Sequence, residues 1–220
     1  GKPVSRNGSS HAFKYISLES YEDSLNNIEF TGESPKLTDQ AKEEYVLSYM
    51  LKMQSEQSAC LLNIDKLKNP FAYEMKITKN LETKTQAVDL VETFSYLIGL
   101  QIEHSYAKVS FDAAYTKGEK GVLVAKLVNG STYTFKMIEG KQLSGDKVLV
   151  IWRTLTGDAE KDNAALDAFF AKKHLNPADF EFNKIYVNGD NNLENIRTDE
   201  EHWKVMLIEE EMKKLMFEQE

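Results

Sequence analysis

Val148–Arg153, VLVIWR, narrows the possible folds more than any other stretch of the 220-residue chain, because five of its six residues are apolar. A strand with one wet face alternates apolar and polar residues. An unbroken apolar strand must be covered on both faces, so it belongs in the middle of a sheet. From Asp158, a residue type that caps helices, the spacing predicts a helix burying Leu166, Phe169 and Phe170. FNKIYV (182–187) then reads as a second strand. Strand, helix, strand at this length is a parallel crossover, right-handed by expectation.

Antiparallel structure is expected ahead of that unit. VLVAKLV and STYTFKMI flank Asn129-Gly130, the residue pair that best tolerates the positive φ angles of a hairpin turn, so those strands are expected to pair. FAYEMKIT (71–78) alternates like a strand. Thr83 and Gln86 have capping-box spacing, predicting a helix that turns Leu90, Val91, Phe94, Leu97 and Ile98 inward and stops at Gly99. Thr198 and Glu201 repeat that spacing before a last helix with Val205, Ile208, Met212 and Leu215 inward. Trp203, Leu207 and Phe217 widen its apolar surface, which packs on its own sheet or on a partner.

Near the start, residues 1–13 are polar and read as a linker. Leu18, Tyr21, Leu25 and Ile28 recur at helical intervals, and GESPK (32–36) breaks the chain. Thr38 and Asp39 suit the start of a further helix, with Tyr45, Val46, Tyr49, Met50 and Met53 on one stripe. The expected organisation is a linker and helical arm over 1–31 and an α/β domain over 32–220. Its sheet is mixed, with a hairpin-rich middle, one βαβ crossover and helices at both ends.

Five stretches, in this order, resemble one family: KYISLESYEDSLNN (14–27), DLVETFSYLIGL (89–100), VLVIWR, YVNGDNN (186–192) and MKKLMF (212–217). The family is the methylation (Mod) subunit of type III restriction–modification systems, an adenine-specific DNA methyltransferase. The resemblance runs over nearly the whole chain but covers only the C-terminal part of such proteins, the region that follows their catalytic domain. It implies that residues 1–13 follow the methyltransferase domain directly. It also implies a parent that uses S-adenosylmethionine to methylate adenine N6, works as a Mod dimer and assembles with a restriction (Res) subunit.

The residues themselves offer little catalysis. A DNA amino-methyltransferase needs an Asp/Asn-Pro-Pro-aromatic loop for the flipped base and a glycine-rich turn for its cofactor. Neither is present, and Asn69-Pro70-Phe71 reads as a turn. GKQLSGDK (140–147) imitates a phosphate loop, but Asp146 stands where the lysine should be, so a hairpin connection is expected. Glu74 and Lys76, two apart on one strand with Asp65 upstream, could serve a Mg²⁺ nuclease or simply form a wet face. His11, His104, His174 and His202 are scattered, and Cys60 is the single cysteine, which suits a reducing cytoplasm. No run approaches the roughly 20 apolar residues of a membrane span.

Asn188, Gly189, Asp190, Asn191 and Asn192 follow a parallel strand, where ligands favour binding, and read either as a plain turn or as a contact surface. Arg153 could reach a phosphate or a carboxylate on a neighbouring helix. With Leu18 and Leu25 on the arm, the expected interaction surface is Arg153, Asn188, Asp190, Asn191, Leu18 and Leu25, with no catalytic, cofactor or metal residue. The expectation is a non-catalytic cytoplasmic domain serving assembly and positioning, its partners being the methyltransferase domain, a second Mod and Res. The alternative is a DNA-recognition or clamp domain. A net charge of −8 weighs against it, although Lys172 and Lys173 could contribute to a local basic face.

Overall fold

The computed structural model describes residues 67–79, 82–118, 121–198 and 203–217. The N-terminal arm with Leu18 and Leu25, the helix expected after Thr38, and Cys60, Asp65, His11, Glu201 and His202 lie outside the described residues.

The domain is mixed α/β. A 3-10 turn at Pro70–Ala72, capped by Asn69, leads into β1 (Glu74–Lys79), which pairs antiparallel with β2 (Glu82–Ala87) in a separate two-stranded sheet. Helix α1 (Leu90–Leu97) follows, then β3 (Gln101–Ser105), β4 (Val109–Lys117), β5 (Leu123–Asn129), β6 (Tyr133–Lys141) and β7 (Lys147–Arg153). Helix α2 (Ala159–Lys173) crosses to β8 (Lys184–Val187), and β9 (Val205–Leu207) runs straight into α3 (Ile208–Phe217). The main sheet has seven strands in the order β5-β4-β6-β7-β8-β9, with β3 also on β6. Pairings up to β7 are antiparallel, whereas β7–β8 and β8–β9 are parallel.

VLVIWR is the central strand its composition predicts, between β6 and β8 with both faces buried. Val148, Val150 and Trp152 face α1 and α3, packing with Leu90, Phe94, Ile208 and Met212. Leu149 and Ile151 face the other way, onto Leu166, Phe169 and Phe170 of α2. The two-residue period of a strand therefore feeds two cores. Phe94 edges against both Trp152, at 6.0 Å between centroids, and Tyr186, at 5.2 Å. Phe135 stacks on Phe169 at 4.2 Å.

The N-cap of α2 also matches expectation. Asp158 accepts from the Lys161 N–H, and acidic and basic residues occupy the first and last turns, as the helix dipole favours. His174 closes the helix at φ 57°. Gly99 ends α1 at φ 63°, with Leu100 N–H bonded back to Ser95 O at 2.9 Å. GKQLSGDK is the β6–β7 turn.

Three expectations fail. Thr83 and Gln86 do not cap a helix; they lie on β2 opposite Thr78 and Met75. The real N-cap is Asp89, whose carboxylate accepts from Glu92 N–H at 3.0 Å. Residues 82–87 have no apolar phase for a helix to bury, and cross-strand pairing prevails.

The second failure is the Asn129-Gly130 hairpin. β5 and β6 do not pair with each other; both pair with β4, and Phe111 is partner to both Asn129 and Tyr133. The hairpin is instead β4–β5, where Gly118 N–H meets Val122 O at 2.8 Å and Gly121 has φ 78°. Asn129-Gly130 instead opens a link wrapped on Asp112. That carboxylate accepts from Ser131 N–H, Thr132 N–H and Thr132 Oγ1 at 3.0, 2.9 and 2.6 Å.

Third, Val205 and Leu207 belong to β9, and the last helix begins only at Ile208. A three-residue strand merges into the helical phase beside it, so periodicity could not separate them. Leu215 stays partly exposed rather than inward, and Trp203 is exposed with Arg197 over its ring. Among the described residues no helix is long and apolar enough to cross a membrane.

Candidate functional site

β7 and β8 are parallel, so their carboxyl ends lie side by side, and Arg153 and Asn188 are their final buried residues. Asn188 extends the ladder with its side chain. Its Oδ1 accepts from Arg153 N–H at 2.6 Å and its Nδ2 donates to Arg153 O at 2.9 Å. Neither residue is a surface group: Arg153 is 1% exposed and Asn188 0%. The interaction surface expected from sequence therefore loses both of them. A polar residue ending an apolar strand reads as emerging into water, whereas here other polar groups follow it inside.

The Arg153 guanidinium reaches no phosphate-accessible surface and no helix carboxylate. It donates to main-chain carbonyls, through Nε to Asn188 O (3.1 Å), Nη1 to Asp162 O (2.5 Å) and Nη2 to Asp190 O (2.6 Å), with Asn163 Oδ1 at 3.4 Å. One planar fork thus binds the first turn of α2 to the loop after β8, which a point-charge ammonium could not do. Burial pulls its pKa down to about 10, opposed by Asp162, Glu209 and Asp167, so it stays charged at neutral pH.

Two acids that the sequence reading missed complete the arrangement. Asp162, buried in the first turn of α2, accepts from Thr156 N–H, Thr156 Oγ1 and Gly157 N–H, fixing the link between β7 and α2. Glu209, in the first turn of α3, accepts from Gly189 N–H at 2.7 Å through Oε1. Its Oε2 is buried with no hydrogen-bond partner, as is Trp152 Nε1. Burial pushes the Glu209 carboxyl above the usual carboxylate range, although the Gly189 N–H and Arg153 favour its charged form. The one sequence signal for Glu209 was phase, since it stands three residues before buried Met212.

The loop after β8 is consequently held at Asn188, Gly189 and Asp190 by two buried side chains, the Arg153 guanidinium and the Glu209 carboxyl. Of its residues Asp190 is exposed and Asn191 half-buried, and these two remain available for contact. The arrangement presents that loop rigidly. Glu74 and Lys76 share the exposed face of β1. Among the described residues no three His, Cys, Asp or Glu side chains group to hold a metal.

Fold and site together define a mixed α/β domain with a clamped polar loop at the carboxyl ends of its parallel strands. No family model matches the chain, and neither a curated protein nor a solved structure matches it.

Proposed function

We propose that this chain is the non-catalytic C-terminal domain of a site-specific adenine-N6 DNA methyltransferase subunit of a type III restriction–modification system. Its role is assembly of the complex and positioning of the catalytic domain on DNA. One observation supports this reading most: stretches far apart in sequence that carry the family resemblance lie together in space. DLVETFSYLIGL forms α1 against VLVIWR, whose Arg153 grips the loop of YVNGDNN. Helix α3, carrying MKKLMF, sends Glu209 to the same loop.

The test is co-expression with a type III methyltransferase domain lacking its own C-terminal region. Co-purification and restored site-specific methylation are expected, while the chain alone neither binds S-adenosylmethionine nor transfers methyl. Cofactor binding by the isolated chain, or failure to associate with that domain, would sink the reading.

A second reading, contact with the DNA backbone, draws on Lys108 and Lys136 beside the break between β3 and β4. Lys136 is held by Ser105 Oγ and Tyr106 O, and burial, then Lys108, lowers its pKa. Lys108 lies 4.5 Å over the Phe71 ring. Anisotropy with random duplex DNA at low and physiological salt separates the readings, because phosphate contacts impose a steep salt slope.

A further inference from the structure

The tripeptide Val-Asn-Gly occurs twice among the described residues, at 128–130 and at 187–189. Asparagine before glycine is the pair most prone to lose its side-chain ammonia, because no Cβ shields the glycine nitrogen. With the same three residues in both places, any difference in reactivity belongs to the fold. At the second copy, every group the reaction needs is engaged. The Asn188 carboxamide is buried, with Oδ1 accepting from Arg153 N–H at 2.6 Å and Nδ2 donating to Arg153 O at 2.9 Å. The nitrogen that would attack it, that of Gly189, donates its N–H to Glu209 Oε1 at 2.7 Å.

The first copy is open. Asn129 and Gly130 are both exposed at the end of β5, and among the described residues no hydrogen bond holds the Asn129 carboxamide. Gly130 is there of necessity. A Cβ on it would fall on the Asp112 carboxylate, which is fixed by Ser131 N–H, Thr132 N–H and Thr132 Oγ1. The contact that shapes the β5–β6 link therefore imposes the one neighbour that leaves an asparagine reactive.

We propose that Asn129 is a site of spontaneous deamidation and that the clamp protects Asn188 from the same reaction. The Gly130 nitrogen forms a bond to Asn129 Cγ, its proton passes through water to the side-chain nitrogen, and ammonia leaves. The five-membered imide then takes up one water and opens at either carbonyl. One opening gives aspartate. The other gives isoaspartate, whose main chain runs through Cβ and is longer by that carbon. The added carbon enters the link between β5 and β6, which Asp112 holds by the successive N–H groups of Ser131 and Thr132. Isoaspartate at 129 should therefore release the link and, with it, the edge strand β5.

The experiment is peptide mapping of the whole folded chain after incubation at mildly alkaline pH, beside the same incubation in urea, with isoaspartate told from aspartate by fragmentation. In urea both copies should convert at similar rates, because the tripeptide alone then acts. In the folded chain Asn129 should convert at least about tenfold faster than Asn188, which reacts only through local opening. Hydrogen exchange of the aged chain should rise at 123–129 and stay unchanged at 148–153. Asn129→Gln would need a six-membered imide, which forms far more slowly. It should keep the wild-type melting temperature and abolish both the product and the rise in exchange. Equal rates at the two copies in the folded chain, or a folded chain that keeps Asn129 intact while the urea sample converts, would overturn the proposal. Conversion at 129 with unchanged exchange at 123–129 would overturn the release of β5.

Discussion

Asn188 does for Arg153 what a further strand residue would do, satisfying both its buried N–H and its buried C=O with one carboxamide. Removing that side chain orphans two main-chain groups and loosens the loop that Arg153 holds. Asn188→Ala is expected to cost about 2–4 kcal/mol, given about 1–3 kcal/mol per unsatisfied buried group. Asn188→Asp should be no rescue, because it keeps the acceptor and loses the donor. Urea unfolding monitored by circular dichroism measures both. A cost below about 1 kcal/mol for either variant would contradict the assigned bonds.

Arg153→Lys keeps the charge but cannot span Asn188, Asp162 and Asp190 together. It should cost about 2–4 kcal/mol, because a buried cation then lacks part of its hydrogen-bonding shell. Hydrogen exchange should rise most at 188–191, and uniform loosening of the whole domain would argue against a local clamp.

Glu209 makes stability depend on pH with a definite sign. Its folded pKa lies above the unfolded value, so the folded state binds the extra proton. The associated stability is complete below the unfolded carboxyl range and is lost as pH rises through the folded pKa. Glu209→Gln, neutral at every pH and still able to accept from Gly189, should remove that component. Chemical denaturation of both proteins from pH 4 upward tests this, and parallel curves would refute it.

His174 occupies the left-handed region, where a side chain strains the main chain. Replacing it with glycine should stabilise the domain by about 0.5–1 kcal/mol, less glycine's greater entropy loss. A fall in the thermal midpoint would show that the imidazole contributes more than its strain costs.

Gly140 has no positive φ, but a Cβ there would sit 2.3 Å from Gln101 O, which is main chain and cannot swing aside. Gly140→Ala should separate β3 from β6, raising exchange at 101–105 while the β6–β7 register survives. Unchanged exchange at β3 would rule out the predicted clash.

Legibility tracked the strength of the local signal. VLVIWR announced a central strand because five apolar residues leave no wet face, and Asp158 and Gly99 marked helix ends through chemistry confined to a turn. Thr83 and Asn129-Gly130 misled because pairing outside the motif outweighed it: the neighbouring strand β1 for the first, the more distant β4 and Asp112 for the second. The clamp was half visible. Arg153 and Asn188 drew notice as polar residues beside apolar strands, but their burial depends on Asp162 and Glu209, and no spacing rule links those four positions.

The sheet joins two kinds of pairing at β7, and that junction orders events in time. β6 and β7 meet across a short turn, while β8 reaches β7 only after the chain has closed the long excursion through α2. Loop closure is an entropic toll that rises with sequence separation, so the antiparallel half should assemble early and the parallel half late. Until β8 arrives, one edge of VLVIWR stands open and apolar, and a nascent chain paused there presents its stickiest strand to its neighbours.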